Sequence, residues 1–243
     1  MTADTTIVLT SCKRPYLLDQ TLHSLAARDL SAVSRVIVIE DSGHPGIAPV
    51  VADRLSGVPH LFLQNDATLG QIASIDRAYE QVDTPYIYHC EDDWLFPTSL
   101  FIAESRAVLE AQADVHAVML RAWSEAPDAQ NQAAPGEIAG VKVRIANPKA
   151  HRRWGSFSFN PGLRRTSDYR DHAPYARIGP ERDLSHYHKL RGFRLVYLEA
   201  GDVTHIGFEP TVKTDEIRRK KARGFLLKSL RHRIEYAWFK RFG

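Results

Sequence analysis

Apolar runs with β-strand character alternate along the first half of the chain with segments whose apolar positions recur at helical spacing. Thr5 to Thr10 is rich in β-branched residues and ends in Ser11-Cys12-Lys13-Arg14-Pro15, after which Leu17, Leu18, Thr21, Leu22 and Leu25 trace one face of a helix. Val33 to Ile39 is a second buried strand, closed by Glu40-Asp41-Ser42-Gly43. His60 to Gln64 is a third, and Leu69-Gly70-Gln71 opens a helix running to about Val82. Thr84 to Cys90 is a fourth strand, followed by a helix from about Ser99 to Gln112 and a strand from Val115 to Arg121. Such β/α alternation predicts a mostly parallel, Rossmann-like sheet flanked by helices and joined by right-handed crossovers. After Trp123 the pattern dissolves into Ala, Pro, Gln, Asn and Gly up to about Pro148, which predicts a mobile loop. Order returns with His151 to Gly162, a helix near Pro180 to Leu190, the strand Phe193 to Leu198, and Gly201 to Gly207.

The 243 residues are enough for one large domain with a full core. A hydrophobic content of 44% and no run near the roughly 20 apolar residues of a membrane span point to a soluble globular protein. The first residues lack the basic and apolar regions of a signal peptide, and Cys12 and Cys90 form no disulfide framework, so the expected compartment is the cytoplasm. Both cysteines read as small buried fillers.

Charge divides the chain. Residues 211–243 hold 11 Lys or Arg against 3 Asp or Glu, a balance of +8, whereas the first 210 residues carry 21 against 26, or −5. In that tail Leu227, Leu230, Ile234 and Trp238 fall at helical spacing with cations between them. Two readings are open: a helix lying on an anionic membrane surface, at the inner face of the membrane, or one that packs its apolar side on the domain and solvates its charges. Nucleic acid is not expected as a partner, given the acidic body.

The most informative chemistry is Glu91-Asp92-Asp93, three consecutive carboxylates at the carboxyl end of a hydrophobic strand. Like charges so close repel, more so in a partly dry cleft. A hard divalent cation, Mn²⁺ or Mg²⁺, relieves that repulsion and also holds phosphate. Open α/β sheets bind ligands at this edge. The plain alternative, acids capping the next helix, is weakened because Thr98 or Ser99 already offers a cap.

Taken together, these stretches resemble a GT-A-fold glycosyltransferase of the large inverting family 2 type, over roughly residues 5 to 210. Thr10-Ser11-Cys12-Lys13-Arg14-Pro15 is similar to the end of that family's first strand, and Glu40-Asp41 to the acidic end of its second. The resemblance assigns Thr10, Ser11, Arg14, Glu40 and Asp41 to the nucleotide donor. The family's Gly, followed six residues later by Asn, is matched by Gly70 and, with a departure, Asp76. Its DxD metal motif is matched by Glu91-Asp92-Asp93, with Asp93 as metal ligand and Glu91 or Asp92 nearer the ribose. Gly179-Pro180-Glu181-Arg182-Asp183-Leu184 resembles the acidic helix start that carries the family's catalytic base, which implies Glu181 in that role with Asp183 as fallback. His205 stands where many such enzymes place a metal- or diphosphate-binding His, and Trp94, Trp154 and Phe157 are candidates for a sugar or acceptor wall.

The resemblance implies a donor half over about residues 1–123 and an acceptor half over about 150–210, and the charge and apolar spacing set off a basic helical tail over 211–243. It implies an inverting, Mn²⁺- or Mg²⁺-dependent transfer from a nucleotide-diphosphate sugar, UDP-linked first of all, to a saccharide or lipid-linked acceptor in surface-polysaccharide or glycoconjugate synthesis. Two rivals remain. A sugar-1-phosphate nucleotidyltransferase would show a Gly-rich basic loop after the first strand, which Ser11 to Pro15 is not. A catalytically dead fold acting as a membrane scaffold would tolerate loss of Asp93.

Overall fold

The computed structural model describes residues 3–126, 133–207 and 225–242. Strands β1 (Thr5–Ser11), β2 (Val33–Glu40), β3 (His60–Gln64) and β4 (Tyr86–Glu91) pair in parallel in the order β3-β2-β1-β4. Their two-residue period divides the core. Ile7, Leu9, Val36 and Val38 pack with Leu18 and Leu22 of α1 (Pro15–Ala26) and with Ile47 and Val51 of α2 (Ile47–Arg54). Val8, Ile37 and Ile39 pack on the other face with Ile75, Ala78 and Tyr79 of α3 (Gln71–Tyr79). Both faces are covered, which is why these strands read as continuous apolar runs.

The register matters more than the strand count. Ser11 of β1 lies opposite Glu40 of β2, and Thr10 lies opposite Glu91 of β4. The polar ends of three strands therefore stand in one row at the carboxyl edge. Just beyond β4, the short strand β5 (Trp94–Leu95) leaves the main sheet, and α4 (Ile102–Ala111) returns the chain to β6 (Val115–Met119).

The second half of the sheet is mixed rather than purely parallel. β9 (Gly162–Arg165) runs antiparallel between β4 and β6, and β10 (Arg194–Leu198) runs parallel to β6. A Cβ on Gly162 would run into the Val118 carbonyl, so the close strand approach needs glycine there. The segment predicted to be a mobile loop contains instead the hairpin β7 (Ala133–Ile138) and β8 (Val141–Ala146), which completes the sheet beside β10. Its apolar positions Ile138, Val143 and Ala146 are buried, and Pro135 is tolerated because β7 is an edge strand. Residues 127–132 of that segment lie outside the described residues.

After β9 come α5 (Thr166–Arg170) and α6 (Glu181–Lys189), and β11 (Thr204–His205) pairs antiparallel with β5 in a second, two-stranded sheet. The tail forms α7 (Phe225–Phe242); residues 208–224, with the cations Arg218 to Lys221, lie outside the described residues. α7 packs on the domain, with Leu230, Ile234 and Trp238 of its apolar positions left exposed. Lys228 Nζ meets Asp183 Oδ2 at 2.7 Å, His186 Nε2 meets Glu235 Oε2 at 2.8 Å, and the rings of His186 and His232 stack 4.1 Å apart. Tyr236 donates to the Lys149 carbonyl, and Phe239 is buried. No described helix is long and apolar enough to cross a membrane.

One buried carboxylate ties the two halves together. Asp76 in α3 accepts the amides of Tyr175 and Ala176, both at 2.8 Å. Asp76→Ala leaves two amides without their acceptor, and a loss of about 2–4 kcal/mol is expected in chemical denaturation; a loss below about 0.5 kcal/mol would show that water replaces the carboxylate.

Candidate active site

The carboxyl edge of β1 and β4 brings the predicted acidic residues into contact with their counter-charges. Asp92 is fully buried; its Oδ2 accepts the Ser11 hydroxyl at 2.7 Å and the Cys12 amide at 3.3 Å. Arg14 spans the next two positions as a fork: Nη2 donates to Asp92 Oδ1, and Nη1 donates to Asp93 Oδ2 at 2.8 Å. Burial works against the guanidinium's charge, and the two aspartates more than offset it. His205 approaches the same Asp93 oxygen with Nε2 at 3.4 Å. It is aimed there by the β5–β11 pairing, which sets it opposite Trp94, and by Glu125, which accepts its amide at 3.0 Å. Gly207 closes the site from behind, because a Cβ there would lie 2.5 Å from Asp93 Oδ2.

Glu91 takes the cost of this crowding. Burial, then the charges of Asp93, Glu181 and Asp92, push its carboxyl up to about 8. Asp92 is also raised, to about 6: burial outweighs the stabilising effects of Arg14 and the Ser11 hydroxyl. Gln71, the first residue of α3, donates to Glu91 Oε1 at 2.6 Å. Asp93 Oδ1 is buried and has no hydrogen-bond partner among the described residues. A buried carboxylate oxygen with nothing to accept suits a cation, and Asp93 with His205 is a carboxylate–imidazole pair competent for Mn²⁺ or Mg²⁺.

Glu181 opens α6 on the far side of the cleft, close enough for its charge to act on Glu91. Its Oε1 accepts the Ser158 hydroxyl at 2.7 Å and the Phe159 amide at 3.0 Å, leaving Oε2 without a bond among the described residues. That support is itself fixed: the buried Arg164 donates to the Ser158 carbonyl at 2.9 Å and lies over the rings of Phe157 and Phe159. Asp183, two residues on, is committed to α7 through Lys228.

Other expected residues fall elsewhere. Glu40 is buried and folds back on its own loop, accepting the amides of Ser42, His44 and Lys13, and so ties the β1 and β2 loops together. Asp41 accepts Asn65 Nδ2 and the amides of Leu69 and Gly70, shaping the turn before α3, where Gly70 has φ of 94°. Thr10 is buried at the end of β1. Asp76 is spent on the backbone of residues 175–176, which sets it apart from the carboxylate cluster. Trp94 and Phe157, expected in an aromatic wall, are both enclosed in the core, with Phe157 stacked on His188 at 5.2 Å. Trp154 is half-buried, and its carbonyl accepts the buried Lys189 ammonium. Cys90 is a buried filler, whereas Cys12 is only half-buried. Sequence reasoning missed Gln71, Ser158 and Glu125. Of these only Gln71 carried a local signal, its place just after the helix-opening glycine.

No family model and no curated protein sequence matches the chain. Solved structures do match. All of the chain aligns with the mannosyltransferase PcManGT of Pyrobaculum calidifontis, in complex with GDP-Man and Mn²⁺, at TM-score 0.65 and 12% identity, covering 66% of that chain. S. aureus TarS in complex with UDP-GlcNAc aligns with 86% of the chain at TM-score 0.61 and 14% identity, 60% of that chain being covered. GalNAc-T7 with UDP, GalNAc and Mn²⁺ aligns with 98% at TM-score 0.62 and 11% identity, with 56% of that chain covered. The chain thus spans only about 56–66% of the length of these proteins. It has the GT-A glycosyltransferase fold, a mixed, mostly parallel sheet flanked by helices.

Proposed function

We propose that the chain is a metal-dependent inverting glycosyltransferase that moves a sugar from a nucleoside diphosphate to an acceptor hydroxyl. The observation that carries this reading is the convergence of Arg14, Asp92, Asp93 and His205 at one strand edge with the half-free carboxylate of Glu181 across from them. The fold's relatives suggest the donor class: PcManGT is in complex with GDP-Man and TarS with UDP-GlcNAc, and a UDP-linked sugar is the first candidate here.

Asp93 and His205 would hold Mn²⁺ or Mg²⁺, which supplies positive charge where the departing diphosphate develops its negative charge. Arg14 serves the same end from the protein side. Its fork can pair with phosphate oxygens as readily as with carboxylates, so an incoming diphosphate competes with Asp92 and Asp93 for it. Gln71 and Glu91 lie beside them, placed for hydroxyls of the donor. Glu181 Oε2 accepts the proton of the acceptor hydroxyl, while Ser158 and the Phe159 amide fix Oε1 and hence the direction of the lone pairs. Attack from the face opposite the diphosphate breaks the sugar–phosphate bond in one displacement and inverts the anomeric centre. Asp183 is the weaker base, because Lys228 holds its carboxylate.

Release of nucleoside diphosphate from UDP- and GDP-sugars, with Mn²⁺ and either water or a saccharide as acceptor, tests the reading. Wild type should turn over and Asp93→Ala should lose both metal dependence and donor binding. Glu181→Gln should keep donor affinity with turnover down by about 10²–10⁴-fold; a near-normal rate would move the base to Asp183. No turnover by wild type with any of these donors would favour the inactive scaffold.

Glu91 gives an independent check on the electrostatics. Its carboxyl titrates near 4.5 when unfolded and near 8 when folded, so the native state binds the extra proton and stability falls as pH rises through that window. In the presence of a chelator, Glu91→Gln should therefore raise stability by about 1–3 kcal/mol at pH 8, allowing for its partial exposure, with the gain vanishing near pH 4. Thermal melts across that range that show a pH-independent gap would contradict the crowding argument.

A further inference from the structure

We infer that α7 is a docking surface for an anionic lipid bilayer, oriented by the way its polar side is bound to the domain. This goes beyond the transferase reading and does not rest on it. His232, Glu235, Tyr236 and Phe239 face the body, where Glu235 meets His186, Tyr236 meets the Lys149 carbonyl, and Phe239 is 7% exposed. Leu230, Ile234 and Trp238, spaced one turn apart, therefore run along the opposite side, 55%, 63% and 61% exposed. An isolated surface Leu needs no explanation, but a stripe of three large apolar residues ending in Trp, on a helix whose other side is already engaged, does.

The charges around the stripe say what covers it. Lys228 is spent on Asp183 on the body side, which leaves Arg231, Arg233, Lys240 and Arg241 on α7 against the single acid Glu235, itself paired with His186 and with Arg231 Nε. At 100° per residue Arg231 and Arg233 fall on the two flanks of the stripe, and both are exposed. Aliphatic side chains and a Trp between flanking arginines match an interfacial helix: the apolar stripe enters the acyl boundary, the indole sits at headgroup level, and the guanidinium groups reach lipid phosphate. A second copy of this chain would set the same cations against each other, which disfavours self-association through this face. Because α7 is held to α6 by Lys228–Asp183 and His186–Glu235, the bound bilayer would lie on the side of the domain that carries Glu181, within reach of a lipid-linked acceptor.

Flotation of the full chain with phosphatidylcholine vesicles, with and without phosphatidylglycerol, tests this. Wild type should bind only the anionic vesicles, and less as salt rises. The triple variant Leu230→Ser, Ile234→Ser, Trp238→Ser should lose at least about tenfold in partitioning with its thermal melt unchanged, since none of the three is buried. If that variant misfolds, Arg233→Glu alone should lower binding to anionic vesicles several-fold. A lack of wild-type binding at low salt, or equal binding by the triple variant, would overturn the inference. So would a concentration-dependent dimer that the triple variant abolishes, without vesicle binding by wild type.

Discussion

Three carboxylates on consecutive residues at a largely buried strand end cannot all stay ionised unless positive charge is brought to them, and the carboxyl edge of β1 and β4 is arranged around that constraint. Two unit charges about 5 Å apart repel by roughly 3 kcal/mol at the effective dielectric of a protein surface. The chain meets this with a fork, a hydroxyl and an amide, Arg14 across Asp92 and Asp93 and Ser11 and Cys12 on Asp92, while burial and the remaining crowding push the Glu91 carboxyl up to about 8. All of these depend on β1 and β4 being parallel neighbours in one register, so that the loop leaving Ser11 can reach the two aspartates just past Glu91. The compensation is incomplete. Asp93 Oδ1 remains buried and unpartnered among the described residues.

The same logic divides the acids by task. Asp92 and Asp93 share the strand end, Glu91 is pushed above the usual carboxylate range by burial and its acidic neighbours, and Glu181 is held by a hydroxyl and an amide next to the Ser158 carbonyl that Arg164 engages. Glu40, Asp41 and Asp76 look equally reactive in sequence, yet each spends its oxygens on backbone amides and so shapes the loops on which the cleft rests.

How much of this was legible depends on distance along the chain. β1 to β4 could be read because each is an unbroken apolar run ending in polar residues, and the acidic triplet stood out for the same reason. β9 could not be read: Gly162-Leu163-Arg164-Arg165 has two cations in four residues, and only its place between β4 and β6 buries Arg164. The two acids at the start of α6 were inseparable in sequence, since Ser158 and Lys228 lie 23 residues before the one and far beyond the other. Aromatic rings were equally ambiguous: nothing local tells a core Phe157 from a ring that faces a sugar. In α7 the apolar spacing was plain, but which side met the domain was decided by His186 and Asp183, partners that the tail's own pattern does not reveal.

Whether this edge binds a diphosphate through a cation is best tested by calorimetric titration of UDP, GDP, dTDP and CDP into the wild-type chain, with and without Mn²⁺. The account predicts that one nucleotide binds well above the rest and that its affinity collapses when the metal is withheld. Affinity unchanged by Mn²⁺, or no binding of any of the four, would contradict the assignment of the Asp92–Asp93 edge as a metal–diphosphate site.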